Sequence, residues 1–243
     1  MKSIKIISLI ILFSSFVTGQ EMGIDFNVGY TRLNMEQVNN YLDNSESVDY
    51  GSNFYIRNEK QKIGQPVSFE LGASARLSQF VLRISGNYLS SNGSWESNDT
   101  IRTINHDVDV STFEIIASAG YNIPIYQTAS ILLEGGIGYG FASSEINYVT
   151  KSFPFYNELE NINYSLSGGY FVGRLRGGFE AELKWLVLRF VIGYKFANPV
   201  VLKGESIING VKKENQPVLL SNGEELEFDF SGICYAWGIT ILL

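Results

Sequence analysis

Residues that commonly carry metal or redox chemistry are scarce in this sequence. The 243 residues include one cysteine, Cys234, and one histidine, His106. A lone cysteine cannot form an internal disulfide, and a lone histidine cannot form a histidine cluster. Metal and thiol chemistry are therefore poorly supported, and we expect no metal and no cofactor.

Basic residues are also too few to suggest a polyanionic partner. Lysine and arginine number 18 against 25 aspartate and glutamate residues, for a formal charge of −7 at pH 7. Binding to phosphate backbones needs a basic patch. The acidic balance therefore argues against nucleic acid as a partner.

Long hydrophobic runs are missing except at the N-terminus. The run from Ile6 to Phe13 is too short to cross a bilayer as a helix. Lys2 and Lys5 precede it and small residues follow before Gln20, which is the order found in a secretory signal peptide. We predict a cleaved signal peptide at 1–19, and its removal takes the formal charge from −7 to −9.

Apolar and polar residues alternate through the rest of the chain. In the sixth predicted segment, Phe171, Leu175 and Phe179 share one face, and Arg174 and Glu180 share the other. This period of two is typical of β-strands. We predict eight such strands, at 24–30, 67–76, 80–88, 113–122, 131–141, 171–183, 186–196 and 233–243.

The apolar faces of these strands carry no charge. A membrane requires this, because an arginine on the lipid face at the bilayer midplane costs about 2–4 kcal/mol. The opposite faces are rich in glycine and serine with few charges, which suits a narrow enclosed lumen better than the water-facing side of a soluble sandwich. The pattern therefore favours a transmembrane barrel.

The connections between the predicted strands alternate between long and short. Long segments lie at Leu33–Pro66, Ser90–Asp107, Ala142–Ser165 and Asn198–Glu225, and short turns lie between them. Such barrels have long extracellular loops and short periplasmic turns. We predict an all-β fold, an eight-stranded antiparallel up-and-down transmembrane β-barrel over 20–243, with both termini periplasmic.

Six acidic and six basic side chains point toward the predicted lumen. Isolated buried charges are costly, so we expect these groups to pair. A paired network would plug a barrel of this size, whereas a looser arrangement would leave a narrow polar pore. The twelve residues are Asp25, Glu70, Arg76, Arg83, Glu114, Glu134, Arg174, Arg176, Glu180, Glu182, Arg189 and Lys195.

Several strands end in a glycine followed by an aromatic residue, as in Gly29-Tyr30, Gly120-Tyr121, Gly138-Tyr139 and Gly193-Tyr194-Lys195-Phe196. With the final strand and the signal peptide, these features resemble the small outer-membrane barrels of Gram-negative bacteria, both the OmpA/OmpX-like single-domain barrels and the PorT-like group. The resemblance covers the whole mature chain and implies an outer-membrane location. The ending Ile241-Leu242-Leu243 departs from the terminal aromatic residue that is common in such barrels.

The connections carry the remaining candidate features. Asn34–Leu42 has the start of a short helix, and Asn209-Gly210 and Asn222-Gly223 are hairpin turn signals. Phe228 and Phe230 have the wrong parity for the last strand, which predicts a bulge near Ser231 or a pairing that starts later. An apolar patch that could contact a partner or fold onto its own loop lies at Phe54, Tyr55 and Ile56.

Catalytic arrangements are weak. His106 is interpreted as a solvated loop residue, and nearby Ser111 has no spacing typical of a barrel acyl hydrolase. Cys234 is interpreted as a small buried filler in the lumen. Glu114 and Glu134 lie on adjacent strands, but nothing in the sequence puts them at one level, so we assign them no acid–base role.

These patterns predict a non-enzymatic outer-membrane barrel with a structural or surface-interaction role through long extracellular loops. The alternatives are a narrow porin-like channel for small solutes and, from the resemblance, an accessory component of a protein secretion apparatus. The partners expected are outer-membrane lipid, the barrel-assembly machinery and an envelope or surface protein.

Overall fold

The structure is a computed structural model that describes residues 21–44, 59–61, 63, 66–98, 102–152, 158–220 and 222–243. The predicted signal peptide at 1–19 and the patch of Phe54, Tyr55 and Ile56 lie outside the described residues. The elements are β1 (Glu21–Leu33), α1 (Glu36–Asn44), β2 (Glu59–Gln61), β3 (Val67–Leu77), β4 (Phe80–Asn98), β5 (Arg102–Tyr126), β6 (Ala129–Ser152), β7 (Glu158–Leu183), β8 (Leu186–Ala197), β9 (Val200–Val201), β10 (Lys203–Ile208), β11 (Val211–Pro217), β12 (Glu227–Phe228) and β13 (Gly232–Leu242).

Within the described residues, eight strands close into a ring, in the order β1, β3, β4, β5, β6, β7, β8 and β13, and β13 returns to β1. Every neighbouring pair is antiparallel. The predicted fold, an eight-stranded antiparallel transmembrane barrel, is confirmed. Closure pairs both edges of the sheet, so that every strand of the ring has two hydrogen-bonded neighbours.

The apolar side chains of the ring point outward. Ile137 is 76% exposed and Phe171 is 69% exposed, while charged side chains on the same strands point inward. On β5 the outward apolar residues run from Phe113 to Ile123. At about 3.4 Å per residue and a tilt of about 40°, this stretch rises about 26 Å, which matches the apolar band of a membrane barrel.

The prediction of loops at Ser90–Asp107 and Ala142–Ser165 is wrong, because strands continue into both segments. Residues 90–98 belong to β4, 102–107 to β5, 142–152 to β6 and 158–165 to β7, and β7 reaches 26 residues. In this region the polarity inverts: Val108 and Ile146 point inward and are buried, whereas Asp107 and Asp109 point outward. The strands were predicted from an outer face that is apolar and uncharged. This criterion does not detect strand segments whose apolar face points inward.

The two ends of the barrel therefore differ. Short turns join β3 to β4, β5 to β6 and β7 to β8 at one end, called here the turn end, where the first residues of β1 and the last residues of β13 also lie. At the other end, called the extended end, β4 to β7 project beyond the apolar band. The interior of the extended end holds a hydrophobic core of Leu33, Met35, Val38, Ile63, Val108, Val110, Ile146, Leu166, Leu202, Val218, Leu226, Phe228 and Phe230, among others.

Chain segments that fold inward supply much of this core. The predicted helix is confirmed at Glu36–Asn44, and Asn39 fixes it by exchanging hydrogen bonds with the backbone of Ile63 at 2.9 and 3.0 Å. The pairing of β13 starts at Gly232, as the parity of Phe228 and Phe230 indicated, and this leaves both phenylalanines fully buried. No helix in the described part of the chain is long and apolar enough to cross a membrane.

The last long connection extends the barrel wall, and the hairpin turn predicted at Asn209-Gly210 is confirmed. β10 pairs with β7 and turns into β11 through Asn209 and Gly210. Both residues have positive φ, at 50° and 83°, which is the geometry of a type I′ turn and the reason that Asn-Gly is favoured there.

Candidate functional site

The twelve predicted lumen charges come together in stacked layers inside the apolar band. Each makes at least one ion pair, and all except Glu182 are buried. The side chain of Glu182 is 44% exposed at the turn end, where it lies 3.4 Å from Arg76. The six acids and six bases balance, so that the lumen carries no net formal charge from these groups.

Two layers lie nearest the turn end. Glu180 accepts from Arg76 at 2.7 Å and from Arg189 at 2.7 Å. Arg189 also donates to Asp25 at 3.2 Å, and Arg83 donates to the other oxygen of Asp25 at 3.1 Å. Arg189 thus links the two layers, because it touches a carboxylate in each.

The middle layer pairs two arginines of β7 with two glutamates. Arg174 and Arg176 each donate to Glu70 Oε2 at 2.8 Å. Arg176 also donates to Glu134 at 2.5 Å, and Arg83 donates to Glu134 from the layer below. Shared carboxylates and forked guanidinium groups favour such a network, because each charge meets more than one partner.

The fourth layer is built on Glu114. Lys195 donates to its Oε1 at 2.7 Å, the Tyr170 hydroxyl donates to the same oxygen at 2.6 Å, and Asn87 donates to Oε2 at 2.9 Å. Tyr170 then stacks on Phe230, with ring centroids 4.7 Å apart. Tyr170 is therefore the junction between the charged lumen and the hydrophobic core of the extended end.

The remaining space in the lumen is small. A cavity of about 30 Å³ lies between Glu70, Glu114 and Cys234. A second cavity of about 150 Å³ opens at the turn end beside Arg76, Glu180 and Glu182. Cys234 lies beside the middle layer and is half-buried, in keeping with its interpretation as a filler.

Glu114 and Glu134 do not form a carboxylate pair. Glu114 faces Gly140 in the neighbouring strand and Glu134 faces Gly120, so their levels differ by six residues along β5, or about 20 Å. Each has its own cations. At this separation along the strand the two carboxylates cannot act on one proton.

The interpretation of His106 as a solvated loop residue is wrong. It lies on the inner face of β5 and is 1% exposed, because β5 continues beyond the apolar band with inverted polarity. Its ring meets Tyr41 of α1 and Tyr148 of β6 edge to face, at centroid distances of 5.1 and 5.6 Å. Burial lowers the pKa of His106 from 6.5 to about 4, so the imidazole is neutral at pH 7.

His106 and Ser111 do not form a catalytic pair. Ser111 has the opposite parity on β5 and shares a hydrogen bond of 2.8 Å with Ser143 on the outer face. A serine nucleophile needs its base within hydrogen-bond reach. The described residues also contain no cluster of three or more side chains able to hold a metal ion.

Beside His106 is a cavity of about 520 Å³ at the extended end. The inner faces of β5, β6 and β7 form its wall through His106, Tyr148 and Tyr164, and α1 contributes Tyr41. The sequence alone does not indicate this site, because its residues lie in the segments predicted as long connections. The available signal was the inward set of Val108, Val110 and His106 continuing the parity of Glu114.

Comparisons with known proteins give structural similarity only. No protein-family model matches the sequence, and no curated protein matches it. Neisserial surface protein A is 11% identical with a TM-score of 0.44, covering 92% of this chain and 97% of that one. Ail, the attachment invasion locus protein of Yersinia pestis, is 12% identical with a TM-score of 0.42, covering 93% and 100%. The outer membrane protease OmpT from Escherichia coli is 9% identical with a TM-score of 0.37, covering 92% and 96%. The fold assignment rests on the strand pairing described above.

Proposed function

We propose that this protein is a closed, non-enzymatic barrel of the bacterial outer membrane that holds a rigid binding surface outside the cell. The observation that carries the proposal is the filled interior. Ion pairs occupy the membrane section of the lumen, and the hydrophobic core occupies the extended end. Such an interior suits a scaffold for surface interaction better than a passage for solutes.

The outer surface supports the membrane location. Outward aromatic residues at the upper edge of the apolar band lie in register on neighbouring strands, Phe69 beside Tyr88, Tyr88 beside Phe113 and Phe113 beside Phe141. Aromatic residues are enriched at both interfaces of membrane barrels. The outward residues that follow, such as Asp109 and Glu145, are polar.

The orientation follows from the difference between the two ends. Barrels of this class have short periplasmic turns and larger extracellular segments. The proposed orientation therefore puts the turn end, with both ends of the described chain, in the periplasm and the extended end outside the cell. Residues 1–19 would direct export and then be cleaved, and the barrel-assembly machinery would insert the chain.

The packing of the described part of the extended end supports surface interaction. Its strands enclose a core to which α1 and residues 198–220 and 222–231 contribute, so we expect the described surface to be held by packing before any partner binds. A preorganised surface loses less conformational entropy on binding than a flexible loop does. The partner proposed is an envelope or surface protein, or a ligand presented there.

The narrow-channel alternative is disfavoured by the same packing. The cavity among Glu70, Glu114 and Lys195 measures only about 30 Å³, and ion-paired side chains line it. A polar path would also have to cross Tyr170, Phe230 and Phe228, which are buried and stacked. Solutes would meet an apolar barrier above the ionic one.

Cysteine labelling of intact cells tests the orientation and the location together. In a Cys234→Ser background, Lys213→Cys places an exposed thiol on β11 at the extended end, and Gln127→Cys places one at the turn end. A membrane-impermeant maleimide should label Lys213→Cys in intact cells, and Gln127→Cys only after the outer membrane is permeabilised. The reverse pattern, or equal labelling of both, would contradict the proposed arrangement.

A further inference from the structure

The cavity at the extended end is a built pocket and not a gap in a loop. Its wall consists of paired strands, in which His106 lies directly opposite Tyr148 and Tyr148 lies opposite Ile162. α1 closes one side through Tyr41, and the connection between β11 and β12 contributes Leu220 and Glu224. Its volume of about 520 Å³ is within the range of small-molecule sites.

His106 leaves hydrogen-bonding capacity unused in this cavity. Both ring nitrogens are buried, and neither has a partner among the described residues. Buried polar atoms in folded proteins are almost always hydrogen-bonded, and each exception calls for an explanation. A neutral imidazole offers one acceptor and one donor, so its acceptor nitrogen is suited to an N–H or O–H group of a ligand.

The rest of the lining favours a positive charge. Glu160 and Glu224 line the cavity, and the described lining residues include no lysine or arginine. The aromatic rings of Tyr41, Tyr148 and Tyr164 add electron-rich faces that attract cations. Burial and the charge of Glu160 both raise the pKa of Tyr164.

We propose that this cavity binds an organic cation that carries N–H groups, a primary ammonium or a guanidinium. The cation would lie against the tyrosine rings, donate one hydrogen bond to His106 and meet the carboxylates of Glu160 and Glu224. A quaternary ammonium would satisfy the rings but not the imidazole. This cation would be the ligand of the binding surface proposed for the extended end, so the inference rests on the proposed function.

Because His106 is the one histidine of the chain, it provides a site-specific reporter. Protein labelled with ¹⁵N and ¹³C in histidine, refolded in micelles and free of any histidine tag, gives one imidazole spin system. Titration with butylamine should shift these resonances in a saturable way. The uncharged isostere butanol can donate to the imidazole but offers no charge to the carboxylates, so it should bind much more weakly. N-acetyl-lysinamide presents the same ammonium on a peptide unit, so tighter binding of this probe would identify the side chain of a protein partner as the source, and tighter binding of butylamine a free amine.

Three variants test whether the carboxylates that line the cavity bind the cation, or whether any negative charge on the barrel would attract it equally. Glu160→Gln and Glu224→Gln should each weaken butylamine binding about fivefold. Glu145→Gln removes the same charge on the outer face of β6, and it should leave the affinity unchanged. Folding of each variant is checked by its heat-modifiable mobility on gels, and Glu224→Gln, on an exposed connection, keeps the test valid if Glu160→Gln fails to fold.

Calorimetry tests the role of the imidazole itself. His106→Phe keeps the ring edges against Tyr41 and Tyr148 but removes both nitrogens, so binding should weaken about tenfold. The proposal is overturned if the His106 resonances do not respond to butylamine, if butanol shifts them equally, or if the Glu160 and Glu224 variants bind as tightly as Glu145→Gln. None of these results depends on whether the barrel conducts ions, so the failure of this inference is distinguishable from the failure of the closed-barrel proposal.

Discussion

At the scale of single residues, the lumen shows how a charge inside a narrow barrel is satisfied. Most of its carboxylates contact two or more basic groups, but Glu114 depends on one cation in the described structure, Lys195. Its other partners, Tyr170 and Asn87, are neutral hydrogen-bond donors. Glu114 is therefore the position where removing one charge leaves a buried carboxylate without compensation.

Lys195→Met should lower the free energy of unfolding by about 3–5 kcal/mol, the usual cost of removing one partner of a buried ion pair. Urea unfolding in lipid vesicles, followed by tryptophan fluorescence, measures the change. The double variant Lys195→Met/Glu114→Gln should recover part of the loss, because no uncompensated charge remains. Lys213→Met, on the exposed β11, serves as the control; a loss equal to that of Lys195→Met would contradict the account of Glu114.

The stability of the structure around His106 depends on pH. Its pKa is about 4 in the folded chain against 6.5 for an imidazole in water, so between these values the unfolded chain binds more protons. Stability that is complete above pH 6.5 is therefore lost as the pH falls toward 4, by at most about 1.4 kcal/mol per pH unit.

The measurement is the pH dependence of hydrogen exchange in α1, which packs on His106 through Tyr41. The difference between the wild type and His106→Phe isolates the histidine, because the carboxylates are common to both. As the pH falls from 6.5 to 4, the wild type should lose protection relative to His106→Phe, because only the wild type must bury an imidazole that protonates in the unfolded chain. A difference that stays constant over this range would show that His106 does not titrate as a buried group.

Residue roles could be predicted from the sequence only where one physical rule decided them. The lumen charges followed from alternation, and their pairing from the cost of burying a charge. The identity of each partner did not follow. Arg76 and Glu180, for example, are 104 residues apart in the sequence, and their contact depends on how the strands of the ring are paired. His106 was misassigned because its environment depends on Tyr41 and Tyr148, which the sequence does not place beside it.

At the scale of elements, the long strands change polarity where they leave the apolar band. On β5 the outward residues change from Phe113 and Ile115 to Asp107 and Asp109, while the inward residues change from Glu114 to Val108 and Val110. The strand itself continues without interruption through this change. Lipid and water thus select opposite faces of the same strand, and the extended end has the interior of a soluble protein.

Phe230 is the element-scale test of this hydrophobic core. It is fully buried and stacks on both Tyr170 and Phe228. Phe230→Ala should cost about 3–5 kcal/mol, as for other buried aromatic residues. Hydrogen exchange should accelerate in β9 and β12 more than in β1, because the inward segments lose their anchor.

Phe179→Ala is the matched control, since Phe179 is 61% exposed on the lipid face of β7. Acyl chains can fill the space that this substitution opens, so its cost should be smaller and β9 should be unaffected. Equal losses for the two variants would show that the interior of the extended end contributes no more stability than the lipid-facing surface.

The membrane strands could be predicted from the sequence because one face must be apolar throughout and the other must not be. The extensions of β4 to β7 beyond the apolar band could not be predicted in this way. Their polar residues point outward and their apolar residues inward, and a period of two does not by itself tell which face is the inner one. Phe228 and Phe230 indicated only that pairing begins late. Their destination, inside the barrel against Tyr170, depended on contacts between residues 60 positions apart.

At the scale of the whole molecule, we propose a barrel that is closed twice, once by ion pairs and once by a hydrophobic core. The two closures lie in series, so opening one does not create a path. In the double variant Arg174→Ala/Arg176→Ala, Glu70 loses both of the arginines that bind it, and the middle layer loses two large side chains. We expect a less stable barrel that leaks only when Phe230→Ala is added, as measured by ion flux from loaded vesicles. A leak through the arginine variant alone would show that the hydrophobic core is not a second seal.

Single-channel recording in a planar bilayer, with folding confirmed by heat-modifiable gel mobility, tests the central claim most directly. The wild-type barrel should insert and remain electrically silent, because ion pairs and the hydrophobic core fill its interior. Stable ohmic current steps from correctly folded protein would contradict the closed lumen and make transport its function.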